Sequence, residues 1–397
     1  MSTIYVATTA DGRSVSYRDR KRWGWALSVF WPLLPLLGLA AHHYSGWQIA
    51  LALPLLISYG LMPLLDAWIG EDENNPPEAV VPELDADRYY RWLTWATVPL
   101  HFIALIACAW WVGTQDLSWW AVALLAYVAG ADAGLGLNTA HELGHKHNPL
   151  EQWLARLVLA VPAYGHFTVE HGRGHHRWVA TPEDHASARM GESIYRFALR
   201  ELPGGIRRAW ALESERLKGL GLSPWSLHNT MLQSYLITAV LQVGLLIAFG
   251  WVMVPFLVIH NLVAWWQLTS ANYVEHYGLL RQKLPSGQYE APQPHHSWNT
   301  NHLVTNLATF HLQRHSDHHA YPSRRYQCLR HFPDLPQLPS GYFGMFPLSY
   351  LPPLWFKVMD KRLLALPQIR GDLSKVNVDP ASRDALWARY GNRIAPA

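Results

Sequence analysis

The stretch TMLQSYLITAVLQVGLLIAFGWVMVPFLVIHNLVAWWQLTSANYV, residues 230–274, contains no Asp, Glu, Lys or Arg. The charge-free run continues back to Lys218 and ends only at Glu275, and two more such runs separate Arg22 from Asp66 and Arg91 from Asp116. A hydrocarbon core takes roughly 20 predominantly apolar residues per helix. Each run is long enough to hold a pair of spanning helices or one complete span. The sequence therefore predicts an all-α polytopic membrane protein with six transmembrane helices, at about 24–41, 47–69, 91–113, 117–140, 230–250 and 252–274. Residues 153–164 are apolar too, but they are short and contain Arg156, which fits a re-entrant or interfacial helix better than a span.

Bulk composition hides this pattern. The chain is 50% hydrophobic and 15% charged, with a mean hydropathy of −0.03, because the charges are gathered between the apolar runs. Trp119, Trp120 and Trp251 fall at span ends, where aromatic belts form. Lys and Arg precede the first span and follow the second, fourth and sixth, while the short turns near 42–46, 114–116 and 250–251 have none. The positive-inside rule then puts both termini in the cytoplasm, with a cytoplasmic cap at 141–229 and 275–397 on a single domain over 1–397. The first apolar run is too long for a signal peptide, so the expected location is the cell inner membrane. Cys108 and Cys328 are not expected to pair, one lying in a span and the other on the reducing side. The basic residues follow topology rather than forming a stripe, so nucleic acid is not a partner.

Function is written in the 22 histidines. They gather in NTAHELGHKH (His141, His145), EHGRGHHRW (His171, His175, His176), ANYVEHYGLL (His276) and LQRHSDHHAYP (His315, His318, His319). All four groups lie at or just past the same ends of spans, so the fold can bring them together. On an α-helix positions i and i+4 share a face, so His141 and His145 can grip one ion. His171 and His175 share a face by the same rule, and His176 points about 100° away. His315, His318 and His319 form a single fan. Nine imidazoles exceed the capacity of one ion, whereas two ions with four or five ligands each would use them.

Imidazole alone does not select the metal. Two cysteines cannot make an iron–sulfur cluster, and a c-type haem motif is absent. Two histidine-rich metals beneath an apolar bundle favour a redox pair that handles O2, and iron above other ions. Glu142, Glu170, Asp184, Glu275 and Asp317 are candidates to accept the other N–H of a ligating histidine. Asp132 and Asn138 lie inside the fourth span, where a polar group is a functional candidate. HELGH also matches a zinc-protease pattern with Glu142 as general base, but such a site needs three protein ligands and leaves six clustered histidines unused. A metal transporter would spread its histidines across the membrane rather than on one side of it.

Taken together, HELGH, HGRGHH and HSDHH resemble the three histidine boxes shared by membrane fatty acyl desaturases and hydroxylases. NYVEHYGLLR, LQRHSDHHAYP, LLDAWIGEDENNPP (64–77) and SWNTNHLVTN (297–306) are similar to the membrane-bound non-haem di-iron alkane hydroxylases in particular, over about residues 20–360. The resemblance implies that His141, His145, His171, His175, His176, His276, His315, His318 and His319 hold two iron ions. It further implies terminal hydroxylation of an n-alkane, with O2 as co-substrate and electrons from rubredoxin and its reductase. The rubredoxin would lie outside this chain, as a separate protein or a fused domain for which GNRIAPA, 391–397, could begin a linker. Acyl desaturases and xylene-type hydroxylases are the neighbouring alternatives. The resemblance assigns no role to His147, His166, His302 or His311. An alkane partitions into the bilayer and would enter from lipid through a channel between spans. Ser58, Leu61 and Leu65, or Leu55 and Tyr59, recur at helical spacing on a face that could line it.

Overall fold

The structure is a computed structural model and describes residues 3–391. All six apolar segments are helical. Helices Arg88–Thr114, Trp119–Gly144 and Thr230–Phe249 are continuous, and the Asp87 and Asn229 side chains start two of them by accepting the Tyr89 and Met231 amides. Such caps satisfy amide donors that the helix itself cannot. The first two segments, Ala26–Ser45 and Gln48–Ile69, are less regular. Pro32, Pro35, Pro54 and Pro63 each remove a backbone donor, and the helices pass through 3-10 turns at Trp31–Leu33 and Gln48–Ala52 and a π-turn at Ile57–Leu61.

Among the described residues, five helices are long and apolar enough to cross a membrane: Ala26–Ser45, Gln48–Ile69, Arg88–Thr114, Trp119–Gly144 and Thr230–Phe249. The sixth segment is the helix Met253–His276. His260, Asn261, Gln267, Ser270 and Asn272 make it less apolar than the other five. It nevertheless packs along Trp119–Gly144 more extensively than any other helix does. At their crossing, a Cβ added to Gly130 would come within 2.5 Å of the His260 carbonyl oxygen, and one on Gly134 would collide with Gln267. Only glycine lets the two backbones approach so closely.

Residues 149–160 form the short helix Pro149–Ala160, capped by Asn148. Ser234 and Thr238 on the fifth span donate to its Arg156 and Ala160 carbonyls at 3.0 and 2.8 Å. The all-α expectation needs one correction. Ile4–Thr8 and Ser14–Arg18 pair as an antiparallel hairpin, with Gly12 at φ 82 in the turn. Tyr5 and Tyr17 from it pack against Val80, Leu84, Tyr90 and Phe310. The closing segment beyond Gly391 lies outside the described residues.

Candidate metal centre

The helix Trp119–Gly144 carries His141 in its last turn and ends on His145, and Met253–His276 ends on His276. The other six histidines come from a helical stretch over 167–178 and from the short helix His315–Ala320. The structure gathers all nine. They divide into a group of five (His141, His145, His171, His176, His318) and a group of four (His175, His276, His315, His319), with the nitrogens inside each group within 4.8 Å of one another.

The division departs from the α-helical spacing argument in two places. His171 groups with His176, not with His175, because Glu170–His175 is a π-helix in which the His176 amide donates to the His171 carbonyl. Five-residue spacing aligns i with i+5, and single π-turns of this kind are frequent at functional sites. The HSDHH fan is likewise split, His315 and His319 joining the group of four and His318 the group of five. Helix His315–Ala320 lies between the two groups and serves both.

The Nε2 atoms of His141 and His318, of His171 and His176, and of His315 and His319 are each 3.0 Å apart. His276 and His315 are separated by 3.1 Å, and His176 and His318 by 3.2 Å. Two nitrogens at right angles on an ion, each roughly 2.1 Å from it, stand about 3.0 Å apart. The Nε2 atoms of His145 and His175 are buried with no hydrogen-bond partner. Burial, reinforced by the neighbouring imidazoles, holds His145, His171, His176, His315, His318 and His319 well below the ordinary histidine pKa. Neutral, converging, otherwise unpaired imidazoles fit metal ions.

The carboxylates read from the sequence separate on inspection of their partners. Asp184 accepts from His175 Nδ1 at 2.9 Å, from Ser187 at 2.7 Å and from Arg208 at 2.8 Å. Glu170 reaches that cluster only through Arg208, which it binds side-on. Glu142 pairs with Lys146 at 3.0 Å and accepts the Tyr326 amide, so it is not placed as a protease base. Asp317 faces away from the histidines and binds Arg324 and Arg330. Neither Glu142 nor Asp317 orients an imidazole, because each is taken up by a nearby cation. Glu275 does approach one, its Oε2 lying 3.4 Å from His315 Nε2 while its Oε1 accepts Tyr342 at 2.9 Å. That contact is on the ligand side of His315 rather than on its other nitrogen. His276 Nδ1 instead donates to the His296 carbonyl at 3.1 Å.

Sequence reasoning missed Arg208, Tyr342 and the His296 carbonyl, which carry no motif of their own. A further trio, Glu290, His295 and His296, is close enough for a metal. Its tautomer argues otherwise: the Gln293 amide donates to His296 Nδ1 at 2.9 Å, which leaves the proton on Nε2, facing Glu290 at 3.4 Å.

A largely apolar cavity between the helices reaches the histidines. His141, His171, His315 and Glu275 line it, and Trp31, Leu34, Leu55, Phe343 and Phe346 contribute apolar wall. Ser58 and Tyr59 line it as well, whereas Leu61 and Leu65 do not, the π-turn at Ile57–Leu61 having rotated them off that face. Asp132 and Asn138 sit on its wall. Asn138 donates to the Thr309 carbonyl at 2.6 Å, and Asp132 Oδ1 is buried without a partner.

Comparison with known proteins agrees with this architecture. Residues 117–349 match the fatty acid desaturase family. The chain is 53% identical to alkane 1-monooxygenase 1 of Alcanivorax borkumensis, over 96% of this chain and 94% of that protein. It is 54% identical to an alkane 1-monooxygenase of Pseudomonas putida, over 95% and 94%. The hydroxylase component of a xylene/toluene monooxygenase from Pseudomonas putida is 29% identical over 66% of this chain. The much higher identity to the first two separates the chain from its xylene-type neighbour, and the protein belongs to the fatty acid desaturase family and, within it, to the alkane 1-monooxygenases.

Proposed function

We propose that the chain hydroxylates the terminal methyl of medium- or long-chain n-alkanes: alkane, O2, two electrons and two protons give a 1-alkanol and water. The observation that carries this reading is an apolar cavity between helices whose lining includes His141 and His171 of one histidine group and His315 of the other. A methyl C–H bond offers no acidic proton and no leaving group, so acid–base and nucleophilic chemistry have nothing to act on. Two iron ions, one per histidine group, would supply the oxidising power when bound.

The chain's own residues do the rest. Trp31, Leu34, Leu55, Phe343 and Phe346 hold the alkane by apolar contact and exclude water from its length. Burial of apolar surface contributes roughly 0.8 kcal/mol per CH2, enough to order a long chain with its methyl at the histidines. Asp184 and the His296 carbonyl hold His175 and His276 with their Nε2 atoms free to ligate. Glu275, hydrogen-bonded to Tyr342 on the cavity wall, is the carboxyl best placed to hold a proton beside the reacting methyl.

Electrons would come from rubredoxin with its reductase. The inner membrane, both termini in the cytoplasm, six spans and a single catalytic domain over 1–397 complete the reading. Metal analysis and turnover test it. Purified protein should hold about two irons per chain, one for each histidine group, and should convert alkanes to 1-alkanols when given rubredoxin, reductase and NADH. A single zinc with no hydroxylation would end it.

A further inference from the structure

A second pocket opens between the end of the fourth span and the start of the fifth, where Gly144 and Thr230 both line it. Unlike the substrate cavity it is strongly cationic, with Arg156, Arg173 and Arg216 on its walls against a single carboxylate, Glu213. That carboxylate is fully buried and already saturated. It binds Arg173, takes two bonds from Arg216 at 2.7 and 2.9 Å, and accepts the Thr230 amide and hydroxyl at 2.9 Å. Burial opposes its ionisation, but Arg216 and the Thr230 amide hold its pKa down at about 2.

Arg156 is left over. Its guanidinium lies over the Trp153 ring at 4.6 Å and makes no hydrogen bond or ion pair among the described residues. Burial, with Arg216 nearby, draws its pKa below the ordinary arginine value even though Glu213 works in the other direction. A half-buried guanidinium without a partner forfeits several charge-assisted hydrogen bonds. An anion with several acceptor oxygens would restore them, and Gln152, Thr168 and Thr230 add uncharged polar groups around the same space.

The surroundings say which anion. Trp153, Trp225 and Leu227 are exposed beside the pocket, and Leu236, Val240, Val243 and Ile247 are exposed along the helix that begins at Thr230. Exposed tryptophans mark the membrane–water boundary, and an apolar helix face running away from a basic pocket fits an acyl chain beneath a headgroup. Basic pockets at the ends of spans suit anionic lipid headgroups.

We propose that this pocket binds the phosphate of an anionic glycerophospholipid, with Arg156 as its recognition group and the acyl chains lying along Thr230–Phe249. Arg173, on the pocket wall, also belongs to the π-helix that aligns His171 with His176. A bound lipid therefore braces the segment that supplies three of the nine histidines. The inference rests on the membrane placement of the helices and not on the identity of the metal or substrate.

The test is lipid retention by the whole chain, read without turnover. Protein purified from a mixture of phosphatidylglycerol and phosphatidylcholine is compared by native mass spectrometry with R156Q and with R207Q. The second variant makes the same charge change at an exposed arginine outside the pocket. Wild type and R207Q should keep phosphatidylglycerol in preference to phosphatidylcholine, and R156Q should bind it roughly tenfold more weakly, the value of one charge-assisted hydrogen bond to phosphate. R156K, which keeps the charge but not the planar fork, should fall between them. Far-UV circular dichroism and metal content, unchanged in R156Q, separate lost binding from lost fold; if R156Q unfolds, R156K supplies the comparison. Equal retention by R156Q and wild type, or no preference between the lipids, overturns the proposal. Displacement of the lipid by inorganic phosphate at its cellular concentration would assign the pocket to free phosphate and overturn it also.

Discussion

The two histidine groups differ in what stands behind them. In the group of four, His175 donates to Asp184, which Ser187 and Arg208 hold in turn, and His276 donates to the His296 carbonyl. In the group of five, no hydrogen bond among the described residues reaches the second nitrogen of His141, His145, His171, His176 or His318. Those five rings are positioned by backbone alone, through the last turn of a span, the π-turn and a short helix, with Phe167 stacked on His171 at 5.0 Å. Acceptors behind a ligand fix its tautomer and raise its basicity. The group of four thus has fewer imidazoles held more firmly, and the group of five more imidazoles held more loosely. Ions bound at the two groups should differ in affinity and in response to mutation.

The largest effects should come from removing ligands, and they test whether the groups act as a pair. His175→Ala takes one of four ligands and leaves Asp184 facing a void, whereas His318→Ala takes one of five. Both should abolish hydroxylation. Iron content should fall further in His175→Ala, while helicity survives because alanine is the best helix former. Full iron occupancy and full activity in His318→Ala would remove it from the ligand set.

Asp184→Asn comes next. A partner behind a ligand typically contributes 10–100-fold to metal affinity or activity. The loss should be confined to the group of four, so that, of the two steps in which iron added back to metal-free protein binds, only one weakens. Equal weakening of both steps would show that the groups are not independently supported.

Asp317→Asn probes a carboxylate that holds arginines instead of a histidine. It should retain iron and lower thermal stability by about 1–3 kcal/mol, the cost of leaving buried partners short of a hydrogen bond. Loss of iron at an unchanged melting temperature would return Asp317 to the metal.

The smallest change in total turnover is expected from Ser58→Trp, which narrows the apolar cavity at a residue that belongs to neither histidine group. The product profile should shift to shorter alkanols while the preferred substrate is still processed. An unchanged length profile would mean that the alkane does not pass Ser58.

How much of this could be read from the chain depends on which regularity each part obeys. Charge-free runs gave the helices because membrane insertion depends on composition, which is local. The nine histidines could be collected for the same reason, each box being a short pattern at the end of a span. Their partition could not be read, since it turns on a π-helix at Glu170–His175 that α-helical spacing misassigns. The same failure recurs at Ile57–Leu61, where Leu61 leaves the face that Ser58 and Leu55 share.

The hairpin left only half a signal: SVSYR alternates with a period of two after an Asp11–Gly12 turn, but IYVAT is apolar at four consecutive positions. His311 illustrates a different limit. From its distance to the HSDHH box it reads as a neutral position suited to a control substitution. Yet it is fully buried, donates to the Tyr326 carbonyl at 2.8 Å and meets the Trp25 ring edge-on. Replacing it with alanine opens a core void, and sequence distance carried no information about that.

Gly130 and Gly134 bear on the centre in a further way. Gly130 lets the fourth span approach the His260 carbonyl of Met253–His276, and Gly134 makes room for the Gln267 side chain; these two helices deliver His141 and His145 to one group and His276 to the other. The distance between the two histidine groups is therefore set in part by how closely these helices meet at Gly130. Any side chain added there would move one group relative to the other without touching any of the nine histidines.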